Sequence, residues 1–209
     1  MGTDAASDKG SVLRAWQDAG LDLSHYVGSH RMAGRERSGA VSAQVDLFEG
    51  RSWVVAPGPQ ASAGAIELVR RVAAAAGSAV LVMTPVEHDA AVAAVSHVPQ
   101  IAASLVASQL IDLPASAVAL SGQGIRDVTR IAASDPSMWT QILVGNAPAV
   151  RGVLESLAEQ LDAVLVALRH LESDADRGVV GARAVLARTV GDGNAGHGRV
   201  PGKRGGGQT

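Results

Sequence analysis

Trp53-Val54-Val55-Ala56, a Pro57-Gly58-Pro59 turn, a helical pattern from Ala61 to Ala76 closed by Gly77, then Ala79-Val80-Leu81-Val82-Met83: this run decides the fold class. The helix ends at a glycine, which adopts the left-handed conformation of a helix stop without steric cost. Two apolar strands joined by a helix predict a right-handed crossover between parallel neighbours, the unit of an α/β sheet. On the N-terminal side, Tyr26-Val27-Gly28-Ser29-His30 reads as another short buried strand ending in a polar turn. Arg35-Glu36-Arg37-Ser38-Gly39 reads as an exposed loop. Before these, a helical pattern of Val12, Leu13 and Trp16 stops at Gly20, with no strand ahead of it.

On the C-terminal side the character changes at Thr84. Thr84-Pro85-Val86-Glu87 is a capping box, with Thr as cap, Pro at the first helical position and Glu three after the cap. Only helical patterns follow. The first runs from Pro85 toward Leu110 and contains Pro99, which predicts a kink beside His97. After a Gly122-Gln123-Gly124 break, Ser134-Asp135-Pro136 reads as a stop and a new helix start. A long helix starting near Pro148 carries Val150, Leu154, Leu157, Leu161, Val164, Leu168 and Leu171 in a heptad pattern. That seam fits an internal helix contact and a subunit interface equally. The expected organisation is an α/β domain over 1–84, a helical domain over 85–172, one more helix over 173–190 and a flexible Gly-rich tail or linker over 191–209.

Composition narrows the classes. The chain has 209 residues, 47% of them apolar, enough to bury a core. A net charge of -2 gives no electrostatic case for nucleic acid or an anionic membrane. Cysteine is absent, so disulfides and thiolate-bound metals are excluded. No apolar run reads as long enough to span a bilayer, and the expected location is the cytoplasm.

Several residues could carry chemistry. Arg126 and Arg130 are four apart and share a helix face, with solvation or pairing to Asp127 as the ordinary reading. Trp139 ordinarily belongs to a core. His30 ends a strand, where α/β sheets bind ligands, so functional and structural readings stand level. His97 lies on an apolar helix, which favours a satisfied core histidine. In Glu87-His88-Asp89 the acids suit a helix first turn and the histidine reads as solvated. Ser7 alone reads as a helix cap. None of the six histidines pair at a zinc-site spacing, so no metal is expected.

The order of these motifs resembles the prephenate dehydrogenases. The matching residues are Thr3-Asp4-Ala5-Ala6-Ser7-Asp8-Lys9-Gly10, His30-Arg31-Met32-Ala33-Gly34 with Ser38-Gly39, Leu47-Phe48 before Trp53-Val54-Val55, Glu87-His88-Asp89 with Ser96-His97-Val98-Pro99, and Ile125 to Trp139 with Asn146. The resemblance implies a partial Rossmann-like parallel sheet, its C-terminal part only, followed by an all-α dimerisation domain. It implies oxidative decarboxylation of prephenate to 4-hydroxyphenylpyruvate, with NAD as hydride acceptor and a homodimer as the assembly. By the same resemblance, His30 accepts the hydroxyl proton, and Ser7 bonds His30 or the substrate hydroxyl beside the nicotinamide. Arg130 clamps a substrate carboxylate, His97 helps line the site and Trp139 shapes the ring pocket.

The chain departs from the family pattern in three places. Arg31 stands where the family usually has Pro, and Gln100 where it often has a second His. The family's Gly-x-Gly-x-x-Gly fingerprint, which sets a helix N-terminus against the pyrophosphate, is not read in the chain. A chain shortened at its N-terminus, binding cofactor poorly by itself, is the expectation. Arogenate stands beside prephenate as substrate and NADP beside NAD, and a non-catalytic helical dimer is the reading from another class.

Overall fold

The structure, a computed structural model, describes residues 1–33, 44–172 and 179–201. The loop expected at Arg35–Gly39 lies outside the described residues. The chain forms two compact units, Met1–Val153 and Leu154–Thr209.

Four strands form the sheet of the first unit: β1 (Gly2–Thr3), β2 (Tyr26–Arg31), β3 (Ser52–Pro57) and β4 (Ala79–Val82), in that order across it. β3 and β4 are parallel and joined by helix α2 (Ala63–Ala75), as the opening stretch predicts. β1 also runs parallel to β2, whereas β2 and β3 are antiparallel, so the sheet is mixed. β1 corrects the reading that no strand precedes the first helix; two residues are too short to show a period-two pattern. The core under the sheet joins Val27 and Val55 to Ala65 and Val69 of α2, residues four apart on one helix face. Ser62 caps α2 by accepting from the Ala65 amide, and Gly77, at φ 74°, turns the chain into β4. Helix α1 (Gly10–Asp18) is held to β2 by Trp16, stacked on Tyr26 at 4.5 Å between ring centroids.

The capping box forms as expected. Thr84 caps α3 (Pro85–Val92), its hydroxyl accepts from the Glu87 amide, and Glu87 returns a bond to the Thr84 amide. The kink expected beside His97 takes the form of a π turn over Ala93–His97, after which α4 (Val98–Ser108) resumes. Pro99 lacks an amide hydrogen and its ring crowds the carbonyl of Val95; one extra residue in the turn accommodates both. Pro85–Ser108 is thus one continuous helix with a mean hydropathy of 1.5 over its most apolar window, and by length and composition it could cross a bilayer, contrary to the sequence reading. It also carries two buried histidines, His88 and His97, both hydrogen-bonded to protein, and 33% of its most apolar window is buried within the chain.

Short elements follow: α5 (Ala115–Val118), α6 (Gln123–Thr129), a 3-10 turn over Arg130–Ala133 packed on α4, and α7 (Pro136–Gly145). Asp135 caps α7 by accepting from the Met138 amide at 2.8 Å, with Pro136 in the first turn. The long helix α8 (Ala147–Glu172) begins one residue before Pro148. Along its heptad pattern Val150 is buried, while Leu157, Leu161 and Leu168 are exposed. In the second unit α9 spans Val179–Gly198, so the last helix passes residue 190, and the residues up to Gly198 are not the flexible tail the composition predicts. Each glycine costs a helix about 1 kcal/mol. A helix already started over Val179–Leu186 nevertheless gains a hydrogen bond for each residue added.

Candidate active site

β1 and β2 are parallel, so the loop after Thr3 and the end of β2 emerge on the same side of the sheet. That loop, Asp4 to Lys9, delivers a carboxylate and an ammonium. His30 comes from β2, next to its exposed last residue Arg31. The Lys9 side chain is 1% exposed, ion-paired with Asp4, and its Nζ donates to the Ser29 carbonyl at 2.7 Å. Asp4 also accepts from the Tyr26 hydroxyl at 2.6 Å, and its carbonyl accepts from the Ser29 hydroxyl. Burial pushes the Lys9 amine below its usual range despite Asp4, and burial with the Asp4 bond pushes the Tyr26 hydroxyl up.

The functional cluster is built on this base. His30 Nδ1 lies 2.9 Å from His88 Nε2, and His88 Nδ1 lies 2.8 Å from Asp89 Oδ1. Asp89 accepts from the amides of Lys9 and Gly10 at 2.8 and 2.7 Å, so its carboxylate sits on the N-terminus of α1. Burial opposes the Asp89 charge, but the bonds from His88, Lys9 and Gly10 outweigh it and hold the carboxyl below its usual range. A Cβ on Gly10 would lie 2.8 Å from Asp89 Oδ2, so only glycine allows this approach. His30 itself is lowered to about 4, by burial first and then by His88, Lys9 and His97, with Asp4 opposing. It is therefore a neutral imidazole at neutral pH, able to accept a proton.

His97, at the end of the π turn, is 2% exposed. Its Nδ1 lies 3.2 Å from Asn146 Nδ2, which also donates to the Asp89 carbonyl at 2.8 Å. Trp139 of α7 meets the His97 ring edge-on at 6.1 Å between centroids. Asn146 follows Gly145, where a Cβ would lie 2.6 Å from Asp8 Oδ1; that close approach seats the end of α7 against the α1 loop. Burial is the largest influence on His97 and lowers it.

The structure thus joins His30 to His88 and Asp89, and His97 to Asn146 and Trp139. Ser7, half-buried before α1, makes no hydrogen bond to His30 among the described residues. Arg130 is exposed at the start of the 3-10 turn, and the Arg126 guanidinium donates to the Ser121 carbonyl at 3.1 Å. His88 is a correction: read as solvated, it is fully buried. The capping box could have revealed this. It turns Thr84 and Glu87 outward, which puts His88 on the inner face with Pro85 and Val92. The roles of Lys9 and Asn146 leave no such periodic signal.

The turn between β3 and α2 lacks the Gly-x-Gly-x-x-Gly spacing of a pyrophosphate-binding turn. The turn before α2 holds Gly58 against the Leu13 side chain, where a Cβ would already lie 3.2 Å from it. The bare spacing Gly-x-Gly-x-x-Gly does occur, contrary to the sequence reading, at Gly191, Gly193 and Gly196. It lies inside α9 with no strand before it, which is not the strand-turn-helix setting that binds phosphate. Among the described residues no group of three or more His, Asp or Glu could hold a metal.

Two family models divide the chain between them: the prephenate dehydrogenase nucleotide-binding domain matches residues 1–83, and the prephenate dehydrogenase dimerization domain matches 84–179. The chain belongs to the prephenate dehydrogenase family. It is 35% identical over 203 residues to the probable prephenate dehydrogenase NovF of Streptomyces niveus, covering 97% of this chain and 56% of that protein. It is 29% identical to the prephenate dehydrogenase of Bacillus subtilis, covering 78% of this chain and 44% of that one. Among solved structures, the Aquifex aeolicus prephenate dehydrogenase in complex with hydroxyphenyl propionate and NAD+ superposes with a TM-score of 0.72 at 28% identity, covering 90% of this chain and 65% of that one. The chain spans about half the length of the curated relatives it matches. The family and the α/β-then-α fold class stand as the sequence predicts, while the sheet, expected to be parallel, is mixed through its β2–β3 pair.

Proposed function

We propose that this chain supplies the substrate side of a cytoplasmic dehydrogenase that oxidatively decarboxylates prephenate to 4-hydroxyphenylpyruvate. The observation that carries the reading is the buried chain from His30 through His88 to Asp89. His30 takes the proton of the ring hydroxyl at a nitrogen that bonds no described residue. NAD, when bound to the whole protein, accepts the hydride from the carbon bearing that hydroxyl. Ser7 bonds the substrate hydroxyl. Arg130 grips a carboxylate with its planar fork of donors, His97 lines the site and Trp139 walls the ring pocket. Loss of carbon dioxide follows aromatisation, so the protein's main task is orientation. The apolar exposed positions Leu157, Leu161 and Leu168 of α8, and the match to a dimerization domain, support a homodimer.

The test joins the family's N-terminal half to this chain and follows NADH formation with prephenate and with arogenate, beside His30→Gln and Arg130→Ala. Prephenate turnover that falls at least 100-fold in both variants is expected. Equal rates in all three would leave only a structural module, and faster turnover of arogenate would reassign the substrate.

A further inference from the structure

Asp89 reaches both histidines of the site through an intermediary, His30 through His88 and His97 through Asn146, and the chemistry of each contact restricts where the protons sit. Its carboxylate, held below its usual range, can only accept, so His88 presents Nδ1–H to it. When that is the one proton on the ring, His88 Nε2 is a lone pair. His30 Nδ1, 2.9 Å away, must then be the donor, and His30 Nε2 is left bare. The Asp89 carbonyl is likewise an acceptor only. It requires the nitrogen, not the oxygen, of the Asn146 amide at 2.8 Å. The second hydrogen on that nitrogen faces His97 Nδ1 at 3.2 Å, which must therefore be the acceptor, leaving the proton on His97 Nε2.

We propose that Asp89 is a positioning residue that fixes opposite tautomers in the two site histidines: through His88 it makes His30 a proton acceptor, and through Asn146 it makes His97 a hydrogen-bond donor. One histidine can then only receive the substrate's proton, and the other can only donate to a substrate oxygen. The middle of each arm is buried, which limits competition from water: His88, His97 and Asn146 are each at most 3% exposed. These substrate roles rest on the dehydrogenase reading above, whereas the tautomers rest on the hydrogen-bond geometry together with a single proton on His88.

The experiment is a long-range proton–nitrogen NMR spectrum of the chain labelled at the nitrogens of its six histidines, at neutral pH and without substrate. The expected result is Nδ1–H with bare Nε2 for His30 and for His88, and Nε2–H with bare Nδ1 for His97. His88→Phe keeps a flat ring but removes the acceptor, and should return His30 to the Nε2–H form while leaving His97 as it was. Asn146→Asp should reverse His97 and leave His30 unchanged. Nε2–H on His30 in the unaltered chain, or a tautomer that its variant does not move, overturns the proposal. Should either variant fail to fold, the unaltered spectrum decides by itself. Titrating prephenate into the same sample separates the two ideas, since absent binding removes the substrate roles and leaves the tautomers standing.

Discussion

The two halves of the candidate site are built to different degrees of completion. Around His30, His88 and His97 the polar side chains are bonded to one another and largely withdrawn from water, from the Asp4–Lys9 pair to Asn146. Around Arg130 and Trp139, by contrast, α5, α6, the 3-10 turn and α7 contain no buried residue. The first half is rigid by its own hydrogen bonds. In the second, side chains are presented from short elements at the surface. A proton acceptor needs a fixed orientation before substrate arrives; a carboxylate clamp can close as it binds.

The largest effect should come from removing the hub of the first half. Asp89→Ala strips the acceptor from His88 and from two amides of α1, and is expected to cost about 3–5 kcal/mol by urea denaturation. A loss under about 1 kcal/mol would show that the buried half is not self-supporting. Next comes acid. The depressed His30 is neutral in the fold but protonates in the unfolded chain near its ordinary 6.5, so stability is full above that pH and falls as pH drops toward about 4. The loss is at most about 3 kcal/mol, reduced where water reaches the ring. Denaturation midpoints between pH 7.5 and 4.5 would measure it, and a flat profile would contradict the burial argument. Gly10→Ala should cost about 1–3 kcal/mol, because Asp89 is tied by several bonds and cannot swing aside. The smallest effect is expected at Arg130→Ala, within about 0.5 kcal/mol in stability. Its consequence lies in ligand affinity instead, with prephenate binding weakened at least 10-fold by calorimetry.

The same contrast explains what the sequence could convey. The β3–α2–β4 unit, the capping box at Thr84 and the Asp135–Pro136 helix start are local, each written within a few neighbouring residues, and each forms where it was read. The buried half of the site is not local. Asp89 meets Lys9 across 80 positions and Asn146 across 57, and no spacing rule reaches that far. Resemblance to the family supplied His30 and His97, while His88 was misread because two acidic neighbours suggested a wet face. The short β1 and the continuation of α9 through its glycines escaped for another reason: the first has too few residues, and the second contradicts its own composition.

The π turn over Ala93–His97 has a further consequence for how this family can vary. A helix with one residue too many in a turn has its faces offset, here between the part that carries His88 and the part that follows His97. Deleting a single residue there would restore an ordinary α-helix and rotate everything downstream by about 100°. His97 would leave Asn146 while His88 stayed beside His30. A one-codon deletion could thus uncouple donor from acceptor without breaking a helix, so the spacing between these two histidines is a constraint on length and not only on residue type.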